Sequence, residues 1–176
     1  NICSFKCNFC AFSKGRGHDD LRGKPYNISH EEIIRRTNEA IERGATEVCL
    51  QGGIHPQYSG ETYLDIVRAI RSASSSIHIH AFSPLEIDHG RKTLNISVKE
   101  FLVELKKAGL NSLPGTAAEI LHDEIRAIIC PDKLTSKQWI SIIETAHSVG
   151  LPTTSTMMFG HVERNSHVAH HLLKLL

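Results

Sequence analysis

The 176 residues are 40% hydrophobic and 22% charged, with a formal net charge of +1. That composition belongs to an ordinary globular chain long enough for a sizeable core, and it excludes the electrostatic footprint of a nucleic-acid or anionic-membrane binder. No run approaches the roughly 20 apolar residues of a membrane span, and no signal peptide is visible, so five cysteines predict clustered thiols in the cytoplasm or another reducing compartment rather than a disulfide framework.

The chain opens on Cys3, Cys7 and Cys10, a CxxxCxxC spacing with Phe9 just before the third cysteine. A structural zinc site takes four ligands in a closed tetrahedron. Three thiolates on a four-iron cluster instead leave one iron with an open position. A substrate or cofactor can bind and be cleaved there, and radical chemistry on S-adenosylmethionine (SAM) is one use of such a cluster. Zinc completed by a histidine, with His18 the nearest, is the alternative. The basic stretch Lys14, Arg16, Arg22 and Lys24, broken by Asp19 and Asp20, reads as a solvated loop.

Helical and extended patterns then alternate. Ser29 with Glu32 forms a capping box before Ile33, Ile34, Thr37, Ala40 and Ile41, and Gly44 ends that helix. Glu47 to Leu50 reads as a short strand leading into Gln51-Gly52-Gly53. A second helix carries Tyr63, Ile66, Val67 and Ile70 on one face, and the serine-rich turn 72–76 leads to a strand from Ile77 to Phe82. Ser97 and Glu100 cap a third helix with Phe101, Leu102 and Leu105 inward and Gly109 at its end. A strand from Leu110 to Leu113 breaks at Pro114-Gly115, and a helix is expected from about Ala117 to Ile129. Thr135 with Gln138 caps the next, which runs through Trp139, Ile142 and Ile143 to Gly150. A strand from Pro152 to Met157 and a helical pattern from His167 to Leu176 close the chain.

Helix, glycine, short strand and polar loop recur at Gly44, Gly109 and Gly150, which predicts an α/β fold of parallel strands covered by helices. A complete (β/α)₈ barrel takes about 200 residues or more, so the expectation is a partial TIM-type barrel with about five of its eight units. A doubly wound open sheet is the alternative. The start at Asn1 without a methionine and the end inside a helical pattern predict a fragment of a longer polypeptide, with 1–176 as one core domain. In either architecture reactive residues gather where strands end. Those ends are 51–56, 80–84, 114–119 and 157–161, rich in small or polar residues as a nucleotide-like cofactor needs.

These segments carry a resemblance. Asn1 through Phe12 resembles the cluster loop of radical SAM enzymes. EVCLQGGIHP, IHIHAFSPLEI, SLPGTAAEILHDEIR, ICPDKLTSKQW and TTSTMMFGHVE together resemble the tyrosine-dependent half of the FO synthases, which make a deazaflavin chromophore. The resemblance runs from Asn1 to about His171. Radical SAM enzymes of futalosine-dependent menaquinone synthesis share the HAFSP and MMFGH blocks but tend to a PGGGAEI where this chain has PGTAAEI. The resemblance implies a [4Fe-4S] cluster and SAM. It implies hydrogen abstraction from L-tyrosine and transfer of a 4-hydroxybenzyl group to 5-amino-6-(D-ribitylamino)uracil. It further implies an electron donor and a ring-closing partner, fused or separate.

Within that resemblance Cys3, Cys7 and Cys10 are the cluster ligands, and Phe9 shields the cluster and the SAM adenine. Gly52 and Gly53 match the turn that receives the SAM methionine group, although Ile54 stands where an acid is common. Thr116 and Glu119 are placed to hold SAM hydroxyls or its methionine end, Glu119 having a helix-dipole role as its plain alternative. His80 and His161 are candidates for proton transfer, and His55, Ser83 and Glu86 for substrate binding. For each histidine the plainer reading is packing or surface. His78 and His80 share one strand face. Tyr26 either covers the pocket or anchors a helix entry. Cys49 reads as a small buried hydrophobe, Cys130 lacks cluster spacing, and Met157 and Met158 read as core. Outside this class stand a zinc-binding interaction module and an inactive barrel remnant.

Overall fold

The computed structural model describes residues 1–5, 7–13 and 24–176. The charged residues Lys14, Arg16, Asp19, Asp20 and Arg22 of the expected solvated loop, and His18, lie outside the described residues. The elements follow as α1 (His30–Glu42), β1 (Glu47–Leu50), α2 (Gly60–Ala73), β2 (His78–Ala81), α3 (Pro84–Leu94), α4 (Val98–Ala108), α5 (Asp123–Ile129), α6 (Ser136–Ser148) and α7 (Asn165–Leu173). Helix starts are set by short polar side chains that satisfy otherwise orphaned amides. Ser29 accepts from Glu32 N at α1, while Ser97 with Glu100 and Thr135 with Gln138 form reciprocal boxes at α4 and α6.

β1 and β2 pair in parallel, with Glu47 opposite His78 and Leu50 opposite Ala81. The strands expected at 110–113 and 152–157 are reduced to single parallel bridges, His80 to Ser112 and Leu113 to Thr153. Their backbones still extend the sheet in chain order, since Ala81 N donates to Ser112 O, Leu113 N to Pro152 O and Thr154 N to Leu113 O. Ser4 N donates to Ile54 O, which lays the cysteine segment beside the exit of β1. Parallel segments in sequence order, joined by helices, make the arc of an unclosed barrel wall.

The core lies between this wall and its helices. Ile79 and Ala81 of β2 are buried in one cluster with Val67 and Ile70 of α2 and Phe101, Leu102 and Leu105 of α4. Each large side chain buried this way contributes about 1.5–3 kcal/mol. On the other face, His78 and His80 are half-buried and both meet the Ser112 hydroxyl at 2.7 Å.

Three expectations are corrected. The sequence reading has no helix after Ser83, yet α3 starts there with Pro84 in its first turn and a Ser83–Glu86 capping box. Its buried side carries Glu86, Asp88 and Gly90, so apolar periodicity is missing. The helix expected from Ala117 exists only as α5. Ala117 and Glu119 sit at φ 58° and 46°, left-handed geometry that interrupts a helix. The buried Arg126 guanidinium holds that kinked segment by donating to Ala117 O, Ala118 O and Leu134 O. Cys49 is exposed rather than buried, because it pairs with His80 on the inner face of the unclosed wall.

Candidate active site

The ends of the parallel segments and the cysteine loop enclose an open cavity of about 620 Å³, ample for a nucleotide-sized ligand. Cys3, Cys7 and Cys10 line it. So do Gly52, Gly53, Ser83, Glu86, Thr116 and Glu119, the small and polar residues expected at strand exits. Lys133, Met157 and Met158 complete the wall.

The cysteine loop is fastened on both sides. Ile54 N donates to Cys3 Sγ at 3.3 Å, and Ser13 N donates to Cys10 Sγ at the same distance. Asn8 N and its side-chain amide donate to Ile129 O and Ile128 O, which tie the loop to the end of α5. A Cβ on Gly53 would overlap the Ile2 carbonyl and lie 2.8 Å from Cys3 Cβ, so only glycine lets the β1 exit approach the first cysteine. Gly52 is different, with only Glu86 Oε1 at 3.7 Å from such a Cβ. Its backbone N–H instead donates to Glu86.

The donor set fits a cluster rather than a single ion. A closed zinc tetrahedron needs a fourth ligand, and among the described residues no histidine and no further cysteine lines the cavity with Cys3, Cys7 and Cys10. Burial pushes the Cys7 thiol up to about 11, against the pull of Lys133. A ligand metal is what would make that sulfur a thiolate near neutral pH. Amide hydrogen bonds to cluster sulfurs are among the levers that set cluster potential.

On the same cavity, Thr116 Oγ1 is buried without a hydrogen-bond partner among the described residues. A polar atom left unpaired on a cavity wall marks a place for a ligand's acceptor or donor. Glu119 accepts from Lys133 Nζ at 2.6 Å, both side chains nearly buried. Burial alone would lower the Lys133 ammonium, but the Glu119 carboxylate, with Cys7 and Cys130, holds it above its ordinary value. The same ammonium lies 5.4 Å from the centre of the Phe9 ring. Phe9 is therefore at the rim, over the ion pair. Glu119 is not a helix first-turn acid.

Glu86 is fully buried beneath the glycine turn. Its carboxylate accepts from Gly52 N at 3.2 Å and from Ser83 N and Oγ at 2.7 Å each. Burial pushes its carboxyl up to about 7, while those three donors pull it back. Ser83 and Glu86 thus serve as a helix cap and at the same time present a proton-holding group to the cavity.

The histidines are not brought to the cavity wall. His55 stacks on Tyr58 at 4.9 Å, His80 bonds Ser112, and His161 packs back on the Met158 carbonyl and Glu163. Tyr26 is half-exposed, bonded through its N–H to Asn1 Oδ1 and edge-on to Phe12. Lys133 was missing from the sequence reading, since no local spacing signals a lysine delivered by the α5–α6 connection. Met157 and Met158 line the cavity, Met158 also packs against the core cluster of Ile120, Ile125 and Ile129 as expected, and its N donates to Glu119 O at 2.7 Å.

The sequence profile described as the Radical SAM superfamily matches residues 1–175. The chain is 48% identical over 172 residues to the 5-amino-6-(D-ribitylamino)uracil–L-tyrosine 4-hydroxyphenyl transferase of Methanothermobacter thermautotrophicus, covering 98% of this chain and 46% of that protein. It is also 48% identical over 172 residues to the FO synthase of Mycobacterium leprae, covering 98% of this chain and 20% of that one. The chain therefore spans about half the length of the first relative and a fifth of the second. Among solved structures, methylornithine synthase (PylB) superposes with a TM-score of 0.72 at 15% identity, covering 99% of this chain and 47% of that one. The shared fold supports the partial barrel wall. No helix among the described residues is long and apolar enough to cross a membrane.

Proposed function

The chain belongs to the radical SAM superfamily, and from that premise we propose that it is the core of a transferase acting on L-tyrosine and 5-amino-6-(D-ribitylamino)uracil. The observation that carries the chemistry is the meeting of Cys3, Cys7 and Cys10 with the Gly52-Gly53 turn, Thr116 and Glu119 around one cavity. The substrates are inferred from the names of relatives about half identical to this chain. Cys3, Cys7 and Cys10 would hold a [4Fe-4S] cluster, which together with bound SAM would supply a carbon-centred radical able to abstract hydrogen.

The chain's own residues do the rest. The amides of Ile54 and Ser13 orient the Cys3 and Cys10 sulfurs, and Gly53 keeps that loop against the barrel wall. The glycine turn and the Thr116 hydroxyl, which line the same cavity, would receive SAM. Lys133 puts positive charge beside Cys7, where a cluster with thiolate ligands carries negative charge. Glu86 can accept or return a proton near neutral pH without leaving its cap. Met157, Met158 and Leu85 give the cavity an apolar side, and excluding water there protects a radical until it meets tyrosine. His80 in β2 and His161 after the last parallel segment stay our candidates for proton transfer, and His55 after β1 for substrate binding, although none of the three lines the cavity. An electron donor and a ring-closing partner complete the proposal.

The test is an anaerobic reaction of the cluster-loaded, full-length protein with SAM, reductant and the aminouracil, with and without tyrosine. Tyrosine-dependent 5′-deoxyadenosine and a hydroxybenzyl adduct of the uracil are expected. Deoxyadenosine that forms regardless of tyrosine would remove the substrate assignment, and a futalosine derivative would be tried in its place.

A further inference from the structure

Away from the cavity, α7 meets the segment just before α5 through a group of histidines that the chemistry above does not use. We propose that His122, Glu124 and His167 form a second metal site, for zinc or a similar borderline divalent cation, that pins α7 to the segment leading out of the cavity. One ring nitrogen of each histidine and one carboxylate oxygen lie within 4.8 Å of one another. Two imidazoles and a carboxylate are a donor set that suits such cations and leaves a fourth position for water.

Two independent observations point to a ligand. His122 Nδ1 is buried with no hydrogen-bond partner among the described residues, and coordination would give it one. The His122 and His167 rings also lie 4.5 Å apart between centroids, with His170 at 5.1 Å from His122. His167 Nδ1 accepts from Arg164 N. Coordination at either ring nitrogen gives up that bond, and Arg164 is exposed, so water can replace it.

The site would reinforce a clasp that exists already. Leu121 N donates to His171 Nδ1, and Lys174 Nζ donates to Leu121 O. A metal on His122 would add a third tie only three residues beyond Glu119, and so steady the kinked 117–121 segment. The site does not depend on the substrates proposed above.

Cluster-loaded full-length protein dialysed against buffered free zinc, then analysed for zinc and iron, tests this. One zinc per chain is expected beyond the cluster, with affinity reduced in His122→Ala and in His167→Ala. The reduction should exceed the roughly 10- to 100-fold that loss of an outer-shell partner costs. Iron should stay unchanged, and His147→Ala, whose ring bonds Thr153 instead, should bind zinc normally. Because a variant can misfold, the wild-type protein supplies a second reading, in which zinc should shield His122 and His167 from diethyl pyrocarbonate. No stoichiometric zinc, zinc unaffected by both substitutions, or unshielded histidines would overturn the proposal.

Discussion

Lys133 Nζ stands 2.6 Å from Glu119 Oε1, with both side chains close to nine-tenths buried and Cys7 and Phe9 beside them. The carboxylate comes from a left-handed kink after the third parallel segment, the ammonium from the α5–α6 connection. Breaking a buried pair by removing one partner costs about 3–5 kcal/mol, because a charge is left alone. Lys133→Met should therefore lower stability by that order and weaken cluster retention. The Lys133→Met/Glu119→Leu double variant should be more stable than either single one. Urea denaturation of the four proteins measures it, and simple additivity would contradict the pairing.

The glycine turn makes an asymmetric prediction. Gly53→Ala drives a Cβ into the Ile2 carbonyl, a backbone atom that cannot turn aside, whereas Gly52→Ala meets only ordinary contact with Glu86. Iron and sulfide per chain should fall sharply in Gly53→Ala while the helical circular dichroism is kept. Gly52→Ala should load its cluster normally.

Thr116 separates ligand binding from stability. Its hydroxyl has no partner among the described residues, so Thr116→Val removes an unsatisfied polar atom and should leave the melting temperature equal or higher. If the hydroxyl serves SAM, affinity should drop roughly two- to tenfold, the worth of about 0.5–1.5 kcal/mol for a neutral hydrogen bond. Equilibrium binding of SAM to the cluster-loaded protein reads this directly.

Glu86 gives a pH dependence. Its carboxyl lies at about 7 in the fold against an ordinary 4.5, chiefly through burial. Between those values the folded chain holds a proton that the unfolded chain has released. The contribution is full below pH 4.5 and is lost as pH rises through about 7. The loss is on the order of 3 kcal/mol. Relative to Glu86→Gln, the wild-type protein should lose stability across that window, and parallel curves for the two would contradict it.

Much of this site was legible in the residues alone. The cysteine spacing, the glycine turn and the strand-end positions Thr116 and Glu119 could be placed together because parallel α/β architecture sends all strand ends to one rim. Ser29, Ser97 and Thr135 mark their helices because capping is local chemistry. The S-P-L-E box at Ser83 was equally present, but the polar buried face of α3 hid the helix from a periodicity test. The failure at Ala117 to His122 has the opposite cause. Its residues favour a helix, and the tertiary bonds from Arg126 and Met158 override them. Lys133 was unreadable because its role depends on a contact fourteen residues away, formed only when the kink is in place.

The most direct measurement is low-temperature electron paramagnetic resonance of the reduced, iron-reconstituted protein, before and after SAM is added. A [4Fe-4S]⁺ signal that changes on SAM addition, and that disappears in Cys7→Ala, is the expected result. A protein that takes up zinc but no iron, or a cluster whose signal ignores SAM, would contradict the assignment of this cavity.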